Sequence, residues 1–220
     1  ILIAIMTSIS SANAQDLYKE LGDFDKLSVA GGFNVKLIKG NKNTVSIEMK
    51  DFDAEDIIFE LKNGKLSIYP RTGGYFNFVV NIDITFKELT SIEISGSTVI
   101  SSKDDLGTNS LSIDKSGSSM VKLNSLNVRS LSLSSSGSGR SELQGVATSS
   151  TLNLSGSGSI NTLGVDTDRV SASLSGSGKI ETFASRSLKA NVTGRGVVWY
   201  EGNPKLTVNT ERGGKVEKKP

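Results

Sequence analysis

The stretch Leu131-Ser-Leu-Ser-Ser-Ser-Gly-Ser-Gly139 decides how this chain is read, because near copies of it return about every twenty residues. Downstream stand Leu152-Asn-Leu-Ser-Gly-Ser-Gly158, Ala172-Ser-Leu-Ser-Gly-Ser-Gly178 and Ala190-Asn-Val-Thr-Gly-Arg-Gly196. Upstream stand Leu111-Ser-Ile-Asp-Lys-Ser-Gly-Ser118 and Ile92-Glu-Ile-Ser-Gly-Ser-Thr98. The first glycines of the copies are Gly96, Gly117, Gly137, Gly156, Gly176 and Gly194, in steps of 21, 20, 19, 20 and 18 residues. A fixed period of this size marks a solenoid, since a unit too small to bury its own apolar face must stack on its neighbours.

Each unit divides into three short segments. The first is the apolar-Ser-apolar phrase ending in Ser-Gly. The second carries two apolar positions, as in Met120-Val-Lys-Leu123, Ser141-Glu-Leu143, Ile160-Asn-Thr-Leu163 and Ile180-Glu-Thr-Phe183. The third is shorter: Leu126-Asn-Val128, Val146-Ala147, Val165 and Ala184. Three strands separated by bends describe one coil of a parallel β-helix, with Leu, Ile and Val inward and Ser, Thr and Asn outward. Stacked coils lie about 4.8 Å apart, so five or six of them make a rod of roughly 25–30 Å. The glycines fit bends between faces, where left-handed backbone carries no Cβ penalty. A leucine-rich repeat has a similar period, but its Asn or Cys position has no counterpart here.

On the N-terminal side, residues 24–89 continue the period-two alternation and predict longer coils together with a cap. Asn63-Gly64 predicts a tight turn, because both residues tolerate positive φ. Ala54 to Phe59 is the one segment with the look of a helical turn. Residues 90–196 hold the regular repeats. On the C-terminal side, residues 197–210 include Val197-Val-Trp-Tyr200 and the only tryptophan, and are expected to cap the stack. Residues 211–220 read as a charged, frayed tail. Ile1-Leu-Ile-Ala-Ile-Met6 followed by Ala12-Asn-Ala14 resembles the end of a secretory signal peptide, so residues 1–14 are expected to be a signal remnant cleaved before Gln15.

The composition narrows the chemistry. The formal net charge of +2 over 220 residues gives no reason to expect a polyanionic partner. The chain has no cysteine and no histidine. It therefore lacks disulfides, a lipid-attachment cysteine, the commonest zinc ligands and the commonest general base at neutral pH. No cofactor or metal motif is present. Ser173-Leu-Ser-Gly-Ser-Gly178-Lys179 imitates a phosphate loop, but Ile180 stands where the Mg²⁺-binding hydroxyl is needed. The repeats lack the regular aspartates of calcium-binding nonapeptides, and Asp104-Asp105 and Asp166-Thr-Asp168 read as solvated turns. Ser119-Met-Val-Lys122 matches Ser-x-x-Lys, yet on a strand residues three apart face opposite sides.

A glycan-cleaving enzyme needs paired carboxylates about 5–10 Å apart in a groove. Glu142 and Glu181 are expected on one face two coils apart, and Asp114 and Lys115 interrupt the serine pattern of their coil. Lys115, Lys122, Arg129 and Arg140 are too irregular for a nucleic-acid track. For ligand binding, the candidate aromatics are Trp199 and Tyr200. No stretch outside residues 1–14 has the run of apolar residues a membrane helix requires.

The combination of Phe33-Asn-Val35 after Gly31-Gly32, Asn63-Gly64-Lys65-Leu-Ser-Ile68 and the series from Ile94-Ser-Gly-Ser97 to Val192-Thr-Gly-Arg-Gly196 resembles the putative auto-transporter adhesin "head GIN" domain family of secreted bacterial proteins. The resemblance spans residues 24–210. It implies a right-handed parallel β-helix, and an exported, adhesin-like protein without catalytic residues to carry over. The expectation is thus an exported, non-catalytic binding or surface-structural module, periplasmic, surface-displayed or secreted, with glycans or envelope proteins as partners. The competing expectations are a polysaccharide lyase or glycosidase, and a periplasmic scaffold.

Overall fold

The computed structural model describes residues 15–49, 56–71 and 80–220. Residues 1–14, expected to be a signal remnant, and positions 54–55 of the expected helical turn lie outside them; Ile57 to Phe59 belong to a strand, which corrects that turn.

The chain enters through β1 (Gln15–Glu20), followed by β2 (Lys26–Gly31) and β3 (Phe33–Lys39) on two faces of one coil. It then runs through β4 (Thr44–Met49) and β5 (Ile57–Lys62) into a second coil, β6 (Lys65–Pro70) and β7 (Val80–Phe86). A third coil holds β8 (Ser91–Gly96) and β9 (Val99–Ser102). From there single strands bend around the corners: β10 (Leu106–Gly117), β11 (Met120–Gly137), β12 (Arg140–Gly156) and β13 (Ser159–Gly176). The stack continues with β14 (Lys179–Phe183), β15 (Ser187–Gly194), β16 (Val197–Glu201), β17 (Lys205–Glu211) and β18 (Lys215–Lys218).

The result is a parallel β-solenoid. Its first face stacks β6, β2, β8, the later parts of β10 to β13, β15 and β17, all in parallel. The second face stacks β7, β3, β9, the early parts of β11 to β13, β14, β16 and β18, also in parallel. A short third face aligns Leu106, Leu126, Gly145 and Val165.

Space and sequence disagree at the N-terminal end. The coil formed by β2 and β3 lies between the coil of β6 and β7 and the coil of β8 and β9. The excursion through β4 and β5 allows this, and both strands return antiparallel: β5 on the free edge of β6, and β4 on β7 with β1 beyond it. Antiparallel strands laid on a parallel stack cover its terminal edge. Asn63 (φ 52°) and Gly64 (φ 73°) make the turn between β5 and β6, as the dipeptide predicts.

Side chains form columns through the stack. On the first face Leu27, Ile92, Ile113, Leu133 and Leu152 occupy one inward column and are almost completely buried. The corner to the second face is a glycine ladder: Gly31, Gly96, Gly117, Gly137, Gly156, Gly176 and Gly194 all have positive φ. From Gly96 onward, a Cβ on each would fall 2.4–2.7 Å from the carbonyl oxygen of the glycine one coil below. The repeat therefore demands glycine twice over, for backbone conformation and for the close approach of stacked corners.

Two expectations need correction. Serine and threonine are not uniformly outward: Ser119, Ser135, Ser141, Ser150, Thr162, Thr167 and Thr182 are buried. Ser135 and Ser141 sit in columns that hold Leu, Ile or Val in other coils. The C-terminal segment is also not a frayed tail, because β18 pairs with β16 and Lys219 N–H donates to the Tyr200 carbonyl at 2.8 Å. Alternation in Lys215-Val-Glu-Lys218 is short and heavily charged, which hides the strand. Trp199 and Tyr200 are thus followed by one more coil, whose β17 leaves Leu206 and Val208 exposed.

Candidate functional site

Outward residues of the first face form two polar columns about 6.6 Å apart along each strand. One runs Ser134, Asn153, Ser173, Asn191; the other Ser136, Ser155, Ser175, Thr193. All are exposed or half-buried. Between them runs a groove of about 790 Å³ that extends from Ser28 and Glu93 to Asn191 and Thr193. Alternation places these side chains there: Leu133, Leu152 and Leu174 turn inward, so every neighbour turns outward. Parallel register then repeats hydroxyl or carboxamide groups every coil. The lining can donate and accept hydrogen bonds in one continuous track.

Charge enters at one end only. Glu93 and Asp114 face the groove in register on adjacent strands. The Lys65 Nζ donates to Glu93 and forms an ion pair with it. Asp114 accepts a hydrogen bond from the Ser112 hydroxyl at 3.1 Å. Sequence reasoning placed Asp114 as a break in the serine pattern but did not pair it with Glu93; the offset of 21 residues between the two was the available signal.

The structure separates the other candidates. Trp199 is half-buried on the outer second face with the Lys179 ammonium 4.9 Å from its ring centroid, whereas Tyr200 packs against the core. They do not form one aromatic platform, because consecutive strand residues face opposite sides. Glu142 and Glu181 share the outer second face with Asn161 between them. Glu142 lies 3.7 Å from both Lys122 and Arg140. Glu181 pairs with Lys179 at 2.8 Å and Lys219 at 3.2 Å. Burial alone would raise the Glu181 carboxyl, but hydrogen bonds and charge from the two lysines outweigh it and hold it below the ordinary range. Ser119 is buried while Lys122 is exposed, so Ser-x-x-Lys does not assemble. Asp166 and Asp168 line a smaller third-face groove of about 630 Å³, where Asp168 meets Arg186 at 3.4 Å.

Lys115 is the largest departure from expectation. It is not a surface base: it is 4% exposed, directed into the coil, and its Nζ donates to the Ser119 carbonyl at 3.1 Å. Burial pulls its ammonium down from the ordinary lysine value to about 8.

The geometry defines an all-β repeat protein, a parallel solenoid with an open groove rimmed by serine, asparagine and threonine; among the described residues no helix is long and apolar enough to cross a membrane. The chain belongs to the family described as "Putative auto-transporter adhesin, head GIN domain", whose pattern matches residues 23–204. A crystal structure of a putative adhesin from Bacteroides fragilis is 23% identical, with a TM-score of 0.86 over 94% of this chain and 98% of that one. A putative lipid binding protein from Parabacteroides distasonis is 21% identical, TM-score 0.77, over 95% and 98%. A putative adhesin from Parabacteroides merdae is 18% identical, TM-score 0.72, over 95% and 97%. At these identities the likeness establishes the fold. No curated protein matches the chain.

Proposed function

We propose that the protein is an exported, non-catalytic module that holds a partner of the cell surface or envelope in its first-face groove. The observation that carries this reading is the track of Ser, Asn and Thr side chains, unbroken over four coils from Ser134 to Asn191 and from Ser136 to Thr193, in a groove of about 790 Å³. Such a lining suits a neutral, hydroxyl-rich chain such as a glycan, because each group both donates and accepts and few charges must be desolvated. Stacked backbones hold the groups in fixed register, so little side-chain order has to be created on binding.

A glycan array probed with the wild-type protein and with Ser155→Trp tests this. The indole would stand in the groove at an exposed position and leave the core untouched. Retention of a glycan class by the wild type, lost in the variant, supports the reading. Binding that survives S155W moves the site elsewhere, and an array with no retained glycan favours a scaffold in the envelope.

A second reading, glycan cleavage, is favoured by the Glu93–Asp114 pair, since carboxylates on adjacent strands approach the spacing of a retaining glycosidase. The Lys65 ion pair engages one of them, which leaves Asp114 as the residue to test. Release of reducing ends from any bound glycan, abolished in Asp114→Asn, would establish it.

A further inference from the structure

Beneath the groove floor, three polar side chains replace apolar ones at a single corner of the stack. Lys115 and Ser135 are register neighbours in a column that otherwise reads Ile68, Val29, Ile94, Leu154, Leu174 and Val192 before it ends at the exposed Thr210. Ser141 stands in a column with Ile100, Val121, Ile160 and Ile180. Ser135 and Ser141 flank the bend through Gly137 and Gly139, one ending the first face and the other beginning the second.

The way leucine fills this corner elsewhere shows what is different. Leu154 leans over Gly178 of the following coil, 2.8 Å from where a Cβ would stand, and Leu174 leans over Gly196 at 2.5 Å. Lys115 does the same over Gly139, with its Nζ 2.6 Å from the equivalent point. The ammonium is therefore inside the corner that Ser135 and Ser141 border. Ser135 is too short to lean on Gly158, and no Ser135 side-chain atom is among its nearest neighbours. A short hydroxyl side chain thus stands where other coils carry a leucine branch.

The polar groups of that corner include a cation and no anion. The Ser135 and Ser141 hydroxyls are buried without a hydrogen-bond partner, and the Lys115 ammonium spends one proton on the Ser119 carbonyl. Among the described residues, its own column and the facing one carry no carboxylate; Asp114 points outward into the groove, and Glu181 sits on the outer face of β14 with its own two lysines. The Ser119 hydroxyl is committed to the Ser116 carbonyl and that of Thr98 to the Gly31 carbonyl. A buried cation without a counter-charge costs several kcal/mol. Ammonium and hydroxyl donors gathered at one position, where other coils place leucine, supply the hydrogen bonds that a small monovalent anion needs.

We propose that Lys115, Ser135 and Ser141 form an internal binding site for a chloride-sized anion, which acts as counter-charge inside the solenoid. The proposal is independent of what the groove binds. Crystals grown in bromide should give an anomalous difference peak within hydrogen-bond distance of Lys115 Nζ and the two hydroxyls. In solution, replacing gluconate by chloride at constant ionic strength and pH 7 should raise Tm by about 3 °C. Lys115→Met and Ser141→Val, which restore the apolar pattern and are expected to fold, should each abolish that rise. A bromide map with no anomalous signal at the corner overturns the proposal, since the hydroxyls are then served by water. An equal chloride response in K115M overturns it as well.

Discussion

Lys115 and Gly139 approach so closely across neighbouring coils that a methyl group on Gly139 would stand 2.6 Å from the lysine Nζ and 2.0 Å from the Ser119 carbonyl oxygen. A buried cation is thus accommodated by the absence of a side chain one coil away. Gly139→Ala should force both apart and lower stability by about 2–4 kcal/mol in urea unfolding. A loss below about 0.5 kcal/mol would show that the corner is loosely packed.

The inward and outward assignment is tested by a matched pair. Leu133 is fully buried, whereas Ser132 is half-buried on the opposite side of the strand. Leu133→Asp puts an unpaired charge in the core and should leave no folded protein by circular dichroism and size exclusion. Ser132→Asp should shift the urea midpoint only slightly. Similar tolerance at both positions would contradict the columns.

Stability should respond to alkali through Lys115. Its folded value of about 8 lies below the ordinary 10.5, so the unfolded chain binds the extra proton between those values. Folding is penalised fully below pH 8, and the penalty fades as pH rises towards 10.5. In gluconate buffer, K115M should therefore be more stable than wild type at pH 7, by about 3 kcal/mol. The difference should shrink between pH 8 and 10.5. Parallel stability curves across that window would refute the buried cation.

Acid acts through Glu181. Its folded value is depressed, so its contribution is complete above the carboxylate range of the unfolded chain and disappears as pH falls through the lower folded value. Glu181→Gln removes the partner of both Lys179 and Lys219. The variant should be destabilised at pH 7 and should converge with wild type in acid. Amide exchange at Lys219, whose N–H is bonded to Tyr200, should rise first. Unchanged protection there would detach the C-terminal strand from this ion pair.

Much of this architecture was legible because a solenoid writes its period into the chain. Gly117, Gly137 and Gly156 mark a corner whose geometry excludes a Cβ, and Ile113, Leu133 and Leu152 mark a column that must stay dry. The same rule could have found Lys115: it lies two residues after Ile113, on the inward parity, and only its charge argued for the surface. Ser135 and Ser141 were hidden for the same reason, since residue type was read ahead of position. A hydroxyl-rich outer face followed from the outward columns, but the groove on it and its acidic end depend on register between coils. Trp199 and Tyr200 look like one aromatic patch in sequence, and strand geometry turns them to opposite sides. The coil order at the N-terminus could not be read at all, because Lys26-Leu-Ser-Val29 and Lys65-Leu-Ser-Ile68 carry the same pattern and nothing local says which stacks first.

That reversed order has a kinetic consequence. Residues 26–39 emerge from the ribosome early but acquire their two flanking layers from residues 65–86 and 91–102. Zippering from the N-terminus cannot proceed layer by layer, and the start of the rod must wait for long-range closure across roughly forty to sixty-five residues. Nucleation should fall instead among the local, evenly spaced repeats beyond residue 106, with the N-terminal layers joining last. The wedged coil then works as a latch, since withdrawing it would separate the terminal layers from the rest of the rod.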